Sequence, residues 1–276
     1  MTTPTMPENQ VVADLAKRAV KPETFDIVED RVSGVVVNGV LTTFDLDKYA
    51  ERPARQTGRV TLTDQDSFVT YVNRHCDFGC TTLWSDVDGG IVTGILNDHL
   101  ASGESAGWAD HRATLQLKLT EDWKFWATYD GKLLPQTVFA EHLEDFALNI
   151  VAPAAADMLE IAQSFQAKRG VAFKSSTRLK SGEVGLLYEE TADARAGVKG
   201  TIEIPDTFTL KLQPFDGGPE YTDIVARFRY RINDGTLLLG YKITRPDLVK
   251  RAAFNEITAS VAEGTGLPIM AGTPRS

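Results

Sequence analysis

Hydrophobic positions follow two rhythms along this chain, and the switches between them outline its elements. Over residues 9–20, Val11, Val12, Leu15, Ala16 and Ala19 recur three and four apart, which predicts a helix. Residues 35–41 read as strand broken at Asn38-Gly39, and the charged stretch 47–57 with Pro53 reads as loop. Residues 58–62 form a short strand. Residues 64–75 return to helical spacing, with Thr63 or Asp64 as cap and Phe68, Val69 and Val72 on one face. Residues 82–87 and 91–96 flank Asp88-Gly89-Gly90, a hairpin signal. Ala113, Leu115, Leu117 and Leu119 then alternate; Trp123 to Tyr129 follows at once and turns at Asp130-Gly131, as at a hairpin corner.

Pro135 opens a helix whose stripe is Phe139, Leu143, Phe146 and Ile150. Pro153 opens a second, with Leu159, Ala162 and Phe165 on one face and Gly170 as its stop. Beyond Gly170 the period changes to two. Residues 171–180 and 183–190 meet at Ser181-Gly182, and 201–212 carries Pro205, which predicts a bulged or edge strand. Residues 221–232 and 236–245 meet at Asn233-Asp234-Gly235. Pro246 starts a last helix with Val249, Ala253, Ile257 and Val261 every fourth residue, ending near Gly264 and Gly266.

Strands that arrive in pairs joined by tight turns pair antiparallel, because parallel pairing needs long crossovers. The expected class is therefore α+β, with mainly antiparallel sheets, a central helix pair and a C-terminal helix. The expected organisation is a flexible tail (1–8), an acidic α+β half (9–150) and an antiparallel-sheet half with the last helix (151–276). The alternative is one continuous domain in which the helix pair is a shared core.

Composition changes this picture in one respect. The 276 residues carry a formal charge of -9, but it is split: residues 1–150 hold 13 Lys+Arg and 23 Asp+Glu, and the remainder hold 16 and 15. A strongly acidic first half argues against a protein that coats polyphosphate with its whole surface, and leaves room for a local basic face in the second. The two cysteines, Cys76 and Cys80, do not form a secreted disulfide framework. No leader peptide and no apolar run of membrane-spanning length is visible, so a reducing intracellular setting without membrane contact is expected.

The clearest electrostatic pattern lies in the last hairpin. In the run 225–231, Arg227, Arg229 and Arg231 share one face, while Ala226, Phe228 and Tyr230 take the other. A two-residue turn at Asp234-Gly235 sets Arg227 opposite Lys242 and Arg229 opposite Gly240. Lys174, Arg178 and Lys180 share a face of an earlier strand. Joined in one sheet, these seven cations would suit a phosphate backbone. The competing reading is a solvated face balanced by acidic groups of the same or a neighbouring chain.

A second constellation is the pair of dipeptides Asp98-His99 and Asp110-His111, at the base of one long loop. Two imidazoles and two carboxylates there could hold a divalent metal or share protons, with His99 and His111 as the metal ligands. Neighbours in a strand point to opposite faces, however, so a hydrogen-bonded latch is the competing reading. His75-Cys76 and Cys80 lack the second ligand pair of a zinc site. The string Gly103-Glu104-Ser105-Ala106-Gly107 has neither the buried strand before it nor the helix after it that a nucleophile elbow requires, and no His follows His142. Trp123, Phe125 and Trp126 beside Lys124 read as core rather than as a base-stacking platform. Phosphate-binding and dinucleotide-binding glycine loops are missing.

Several segments together resemble the YfdQ-like family of phage and prophage proteins, a domain of unknown function. They include 139–141 with 159–164, 173–175, 188–190, Ile204-Pro205-Asp206-Thr207-Phe208, Phe215-Asp216-Gly217-Gly218-Pro219, 227–231 and Thr265-Gly266-Leu267-Pro268. Asn97-Asp98-His99 and Trp108-Ala109-Asp110-His111-Arg112 look like its first-half signature. The resemblance implies a virus-encoded protein acting in the cytoplasm of a bacterial host, and it brings no catalytic residues. The leading expectation is a non-enzymatic, self-associating binding protein that acts in phage DNA metabolism or against a host nuclease or defence factor. No cofactor is then required, and the partners are further copies of the chain with nucleic acid or a host protein. The alternatives are a metal-assisted phosphoester or nucleotide hydrolase at the two Asp-His pairs, and a structural component of a particle.

Overall fold

The computed structural model describes Gln10, Val12 and residues 23–28, 32–37, 40–53, 55–100, 105–170, 191–195, 204–233 and 236–274. The chain divides into two compact units, residues 1–58 and 59–276. In the first, β1 (Glu23–Val28), β2 (Val32–Val37) and β3 (Val40–Asp45) form an antiparallel meander. A 3-10 turn at Asp47–Tyr49 follows, with the Asp45 carboxylate accepting from the Asp47 N–H at 2.9 Å. Of the helix expected over 9–20, Gln10 and Val12 are helical, and the other positions lie outside the described residues.

The second unit holds two five-stranded sheets. The first is built from β4 (Gly58–Leu62), β5 (Thr82–Asp86), β6 (Ile91–Ile95) and β7 (His111–Gln116), and β15 (Ile269–Ala271) joins β5 in parallel at one edge. β5, β6 and β7 are the hairpin strands that the alternation predicts. Helix α1 (Gln65–His75) starts because the Asp64 carboxylate accepts the Ser67 N–H at 2.8 Å, satisfying one of the orphan donors of the first turn. Its buried Phe68 and Val72 meet Leu83, Val92 and Leu115 of the sheet and Phe254, Ile257 and Val261 of the last helix.

The second sheet has the order β8-β14-β13-β12-β9, antiparallel throughout. Its strands are β8 (Leu133–Pro135), β9 (Ile150–Ala152), β12 (Thr207–Leu212), β13 (Tyr221–Asn233) and β14 (Thr236–Ile243). Helices α2 (Glu121–Tyr129), α3 (Gln136–Asp145) and α4 (Ala155–Ser164) cover one face and bury Trp126, Phe139, Leu143, Met158 and Ile161 against Phe208, Leu210, Ala226, Leu239 and Tyr241. Separately, β10 (Gln166–Gly170) and β11 (Thr191–Arg195) pair as an antiparallel ribbon. The last helix, α5 (Pro246–Thr265), has Pro246 in its first turn and stops at Gly266 in the left-handed region, φ 67°. The fold is thus α+β with antiparallel sheets and a C-terminal helix, as the hairpin pattern predicts. The two cores touch through Leu119 and Tyr221, which pack against both.

Three local expectations need correction. The hairpin corner at Trp123–Tyr129 is helix α2. The Thr120 hydroxyl accepts the Trp123 N–H at 3.1 Å, and Glu121 and Asp122 stand in the first turn where the helix dipole favours carboxylates. The helix expected to run to Gly170 stops at Ser164, where buried Phe165 takes extended backbone and leads into β10. The helix opened at Pro135 ends at Asp145, so Ile150 of its expected stripe stands in β9. Of the two outcomes expected for the strand after Pro205, bulged or edge, the structure has the first: β12 is central, between β13 and β9, with a register break between Leu210 and Leu212. The hairpin expected over 171–190 lies outside the described residues. Among the described residues, no helix is long and apolar enough to cross a membrane.

Candidate functional site

The last hairpin has the register that its turn predicts. Arg227 pairs with Lys242, Arg229 with Gly240 and Arg231 with Leu238. Alternation then divides the strand cleanly. Ile224, Ala226 and Phe228 point into the core beneath α2–α4, while Arg227, Arg229 and Arg231 stand exposed on the other face. Guanidinium-bearing residues two apart on a strand are spaced by about 7 Å. Among the described residues none of the three makes an ion pair.

Lys242 differs from them. Its ammonium is bound by the Asp130 carboxylate, whose other oxygen accepts the Ile243 N–H at 2.7 Å. The fourth cation of the expected stripe is therefore neutralised by the turn after α2. The position opposite Arg229 is also not open: a Cβ at Gly240 would overlap the Lys132 carbonyl oxygen, because β8 crosses here. Arg229, Arg231, Gly131 and Leu133 line a groove of about 570 Å³. Lys174, Arg178 and Lys180 lie outside the described residues.

The helical side of the same sheet carries the opposite charge. Glu121 and Asp122 on α2, Glu141, Glu144 and Asp145 on α3, and Asp157 and Glu160 on α4 are all exposed. The one basic side chain among these helices, Lys124, is paired with Glu121 at 2.6 Å. A polyanion is repelled by this side and attracted by the other.

The two Asp-His dipeptides close the base of the long loop, each through its own local partners. Asp98 accepts from the Thr82 hydroxyl at 2.5 Å, and Thr82 in turn accepts the Trp84 indole N–H at 3.2 Å. Asn97 donates to Asp110 at 2.9 Å and accepts the His111 N–H at 2.9 Å. Exposed His99 accepts the Gly107 N–H on Nδ1 at 3.0 Å, and Gly107 is seated so closely that a Cβ would overlap the Asp98 carbonyl oxygen. His111 instead turns inward: its ring is buried, 3.1 Å from the Tyr71 hydroxyl and 5.2 Å from the His75 ring. Burial, and then the neighbouring His75, hold its pKa below the ordinary histidine value. Among the described residues no three His, Cys, Asp or Glu side chains converge as a metal-ligand set. Cys80 faces the Leu96 carbonyl at 3.8 Å, and burial raises its thiol pKa.

Two features lie beyond the sequence reading. The first is the Tyr71–His75 pair on α1, four apart with rings 4.6 Å from one another, which packs on His111; the i, i+4 spacing was the readable signal. The second is His142. Its ring lies between Phe125 at 5.3 Å and Tyr241 at 5.6 Å, both nearly parallel to it, and meets Trp126 edge-on at 4.7 Å. Burial pushes its pKa down to about 4. Tyr241 donates its hydroxyl proton to the Trp126 carbonyl at 2.8 Å, so His142 Nε2 donates to Tyr241 at 3.2 Å, and Nδ1 is left buried without a partner among the described residues.

Compared with known proteins, the chain matches a family of uncharacterized conserved proteins, DUF2303, over residues 7–274. No curated protein and no solved structure matches it.

Proposed function

The chain belongs to the DUF2303 family, an uncharacterized conserved family, and with no activity to inherit from it we propose that the protein works by binding and takes a phosphate-bearing polyanion on its arginine face. The observation that carries this reading is the row Arg227, Arg229 and Arg231, exposed and without ion pairs among the described residues. Like charges at this spacing repel one another in the free protein, and a bound row of phosphates turns that cost into attraction. The carboxylates of α2–α4 confine the polyanion to one side. The resemblance to phage and prophage proteins supplies the setting: a bacterial host cell, with nucleic acid as the polyanion. Complementary faces of one unit also suit head-to-tail self-association, which nucleic acid would then disrupt by competing for the arginines.

The test is fluorescence anisotropy with labelled single-stranded and double-stranded DNA in low salt. Binding at micromolar protein that weakens steeply with added salt is the expected result. No binding of either at micromolar protein overturns the reading. Phosphodiester turnover with Mg2+ or Mn2+ that is lost in folded His99→Ala and His111→Ala would replace it by the hydrolase reading.

A further inference from the structure

We infer that the ligand of this face is single-stranded nucleic acid, laid along β13 with phosphates on Arg227, Arg229 and Arg231 and a base in the groove that Leu133 closes. The inference rests on the polyanion reading above and narrows it to one strand. Its first support is the asymmetry of the groove. One bank, on β13, carries Arg229 and Arg231 with Phe228 and Tyr230; the other is Gly131 and, on β8, Leu133, and no cation is among its lining residues. Between the banks the Lys132 carbonyl sits over Gly240, in the place a side chain would fill, so the recess is bounded by β13 and the Gly131–Leu133 segment. A duplex presents two phosphate backbones across a major groove of about 12 Å and is read by an element that enters that groove. This face has cations on one bank and is itself the recess, so it fits one backbone with its bases turned inward.

The second support is chemical. A base needs an apolar surface and a flat partner once it is unstacked. Leu133 supplies the first, and the planar guanidinium groups of Arg229 and Arg231 supply the second, since arginine stacks on bases as well as pairing with phosphate. A groove of about 570 Å³ is of the size that holds a small organic ligand and so has room for a nucleotide.

The source of the strand, DNA or RNA, is decided by the experiment. The full chain is titrated by anisotropy against oligothymidylate, oligouridylate and a duplex, each of about 20 nucleotides or base pairs, over a range of salt. The single strands are expected to bind at least about tenfold more tightly than the duplex, with a log–log salt slope near -2 for three phosphates. Arg229→Ala and Arg231→Ala each flatten that slope by about 0.7 with unchanged melting temperature. Arg229→Lys keeps the slope and weakens binding, because the charge remains and the stacking plane is lost. Equal or tighter duplex binding, or arginine variants that leave the slope unchanged, overturns the single-strand inference. Duplex binding that still depends on the arginines leaves the polyanion reading standing, whereas no binding of any nucleic acid removes both.

Discussion

Replacing His142 by Phe is expected to flatten the acid limb of the protein's stability curve. The imidazole sits among Phe125, Trp126, Tyr129, Phe139, Phe146 and Tyr241. That environment gives a charge nothing to replace water except the distant attraction of Asp145, so the pKa falls to about 4 from 6.5. The folded state therefore refuses a proton that the unfolded chain accepts. Between these two values the unfolded state binds more protons, and stability falls as pH falls; above about 6.5 the contribution is fully present, and below about 4 nothing further is lost. At roughly 1.4 kcal/mol per pH unit the whole effect is about 3 kcal/mol, of which about 2 kcal/mol separates pH 7.5 from pH 5. The substitution also removes the unpartnered Nδ1 and one hydrogen bond to Tyr241, whose hydroxyl keeps its bond to the Trp126 carbonyl. At pH 7.5 the variant should match the parent protein within about 1.5 kcal/mol. Urea unfolding of both proteins at the two pH values measures the double difference. A His142→Phe variant whose stability falls between pH 7.5 and pH 5 by as much as the parent's would refute the argument.

Asn149→Ala removes the acceptor for the Trp126 indole N–H at 3.0 Å and a donor to Asp122. A cost of about 2–3 kcal/mol in urea unfolding is expected, because the buried N–H is left unpaired. Gly240→Ala drives a methyl into the Lys132 carbonyl and should lift β8 from β14, lowering stability by about 2 kcal/mol or more; an unchanged unfolding midpoint would contradict the close crossing. Asp130→Asn keeps an acceptor for the Ile243 N–H but frees Lys242. It should steepen the salt slope for oligothymidylate by about 0.7, and an unchanged slope would mean that Lys242 lies off the ligand's path.

The register of the β13–β14 hairpin was readable because a tight turn leaves one pairing, and one pairing decides which residue faces which. Alternation alone then divided arginines from core. The fate of Lys242 was not readable, since Asp130 lies 112 residues away in sequence. Trp123, Phe125, Trp126 and Tyr129 suit strands by type, yet Thr120-Glu121-Asp122 just before them is a helix-start signal, and capping outweighed residue preference. His142 stayed hidden because its aromatic neighbours come from α2, α3, the turn after it and β14, and no spacing within the chain brings those together. At the Asp-His loop the spacing showed that the dipeptides share a loop base, but not that His111 would turn toward α1 and away from His99.

The position of α5 has a consequence for how the protein is made. Its Ala253, Phe254, Ile257 and Val261 complete the core of the first sheet, whose other strands, apart from β15, end at Gln116. On a ribosome that adds about 5–20 residues per second, that sheet waits on the order of ten seconds for its missing wall. During this interval Phe68, Leu83 and Leu115 lack their final cover. A nascent chain stalled before residue 246 would thus present a sticky, half-roofed sheet, a substrate for chaperones, and the segment 246–271 acts as the release signal for residues 58–116.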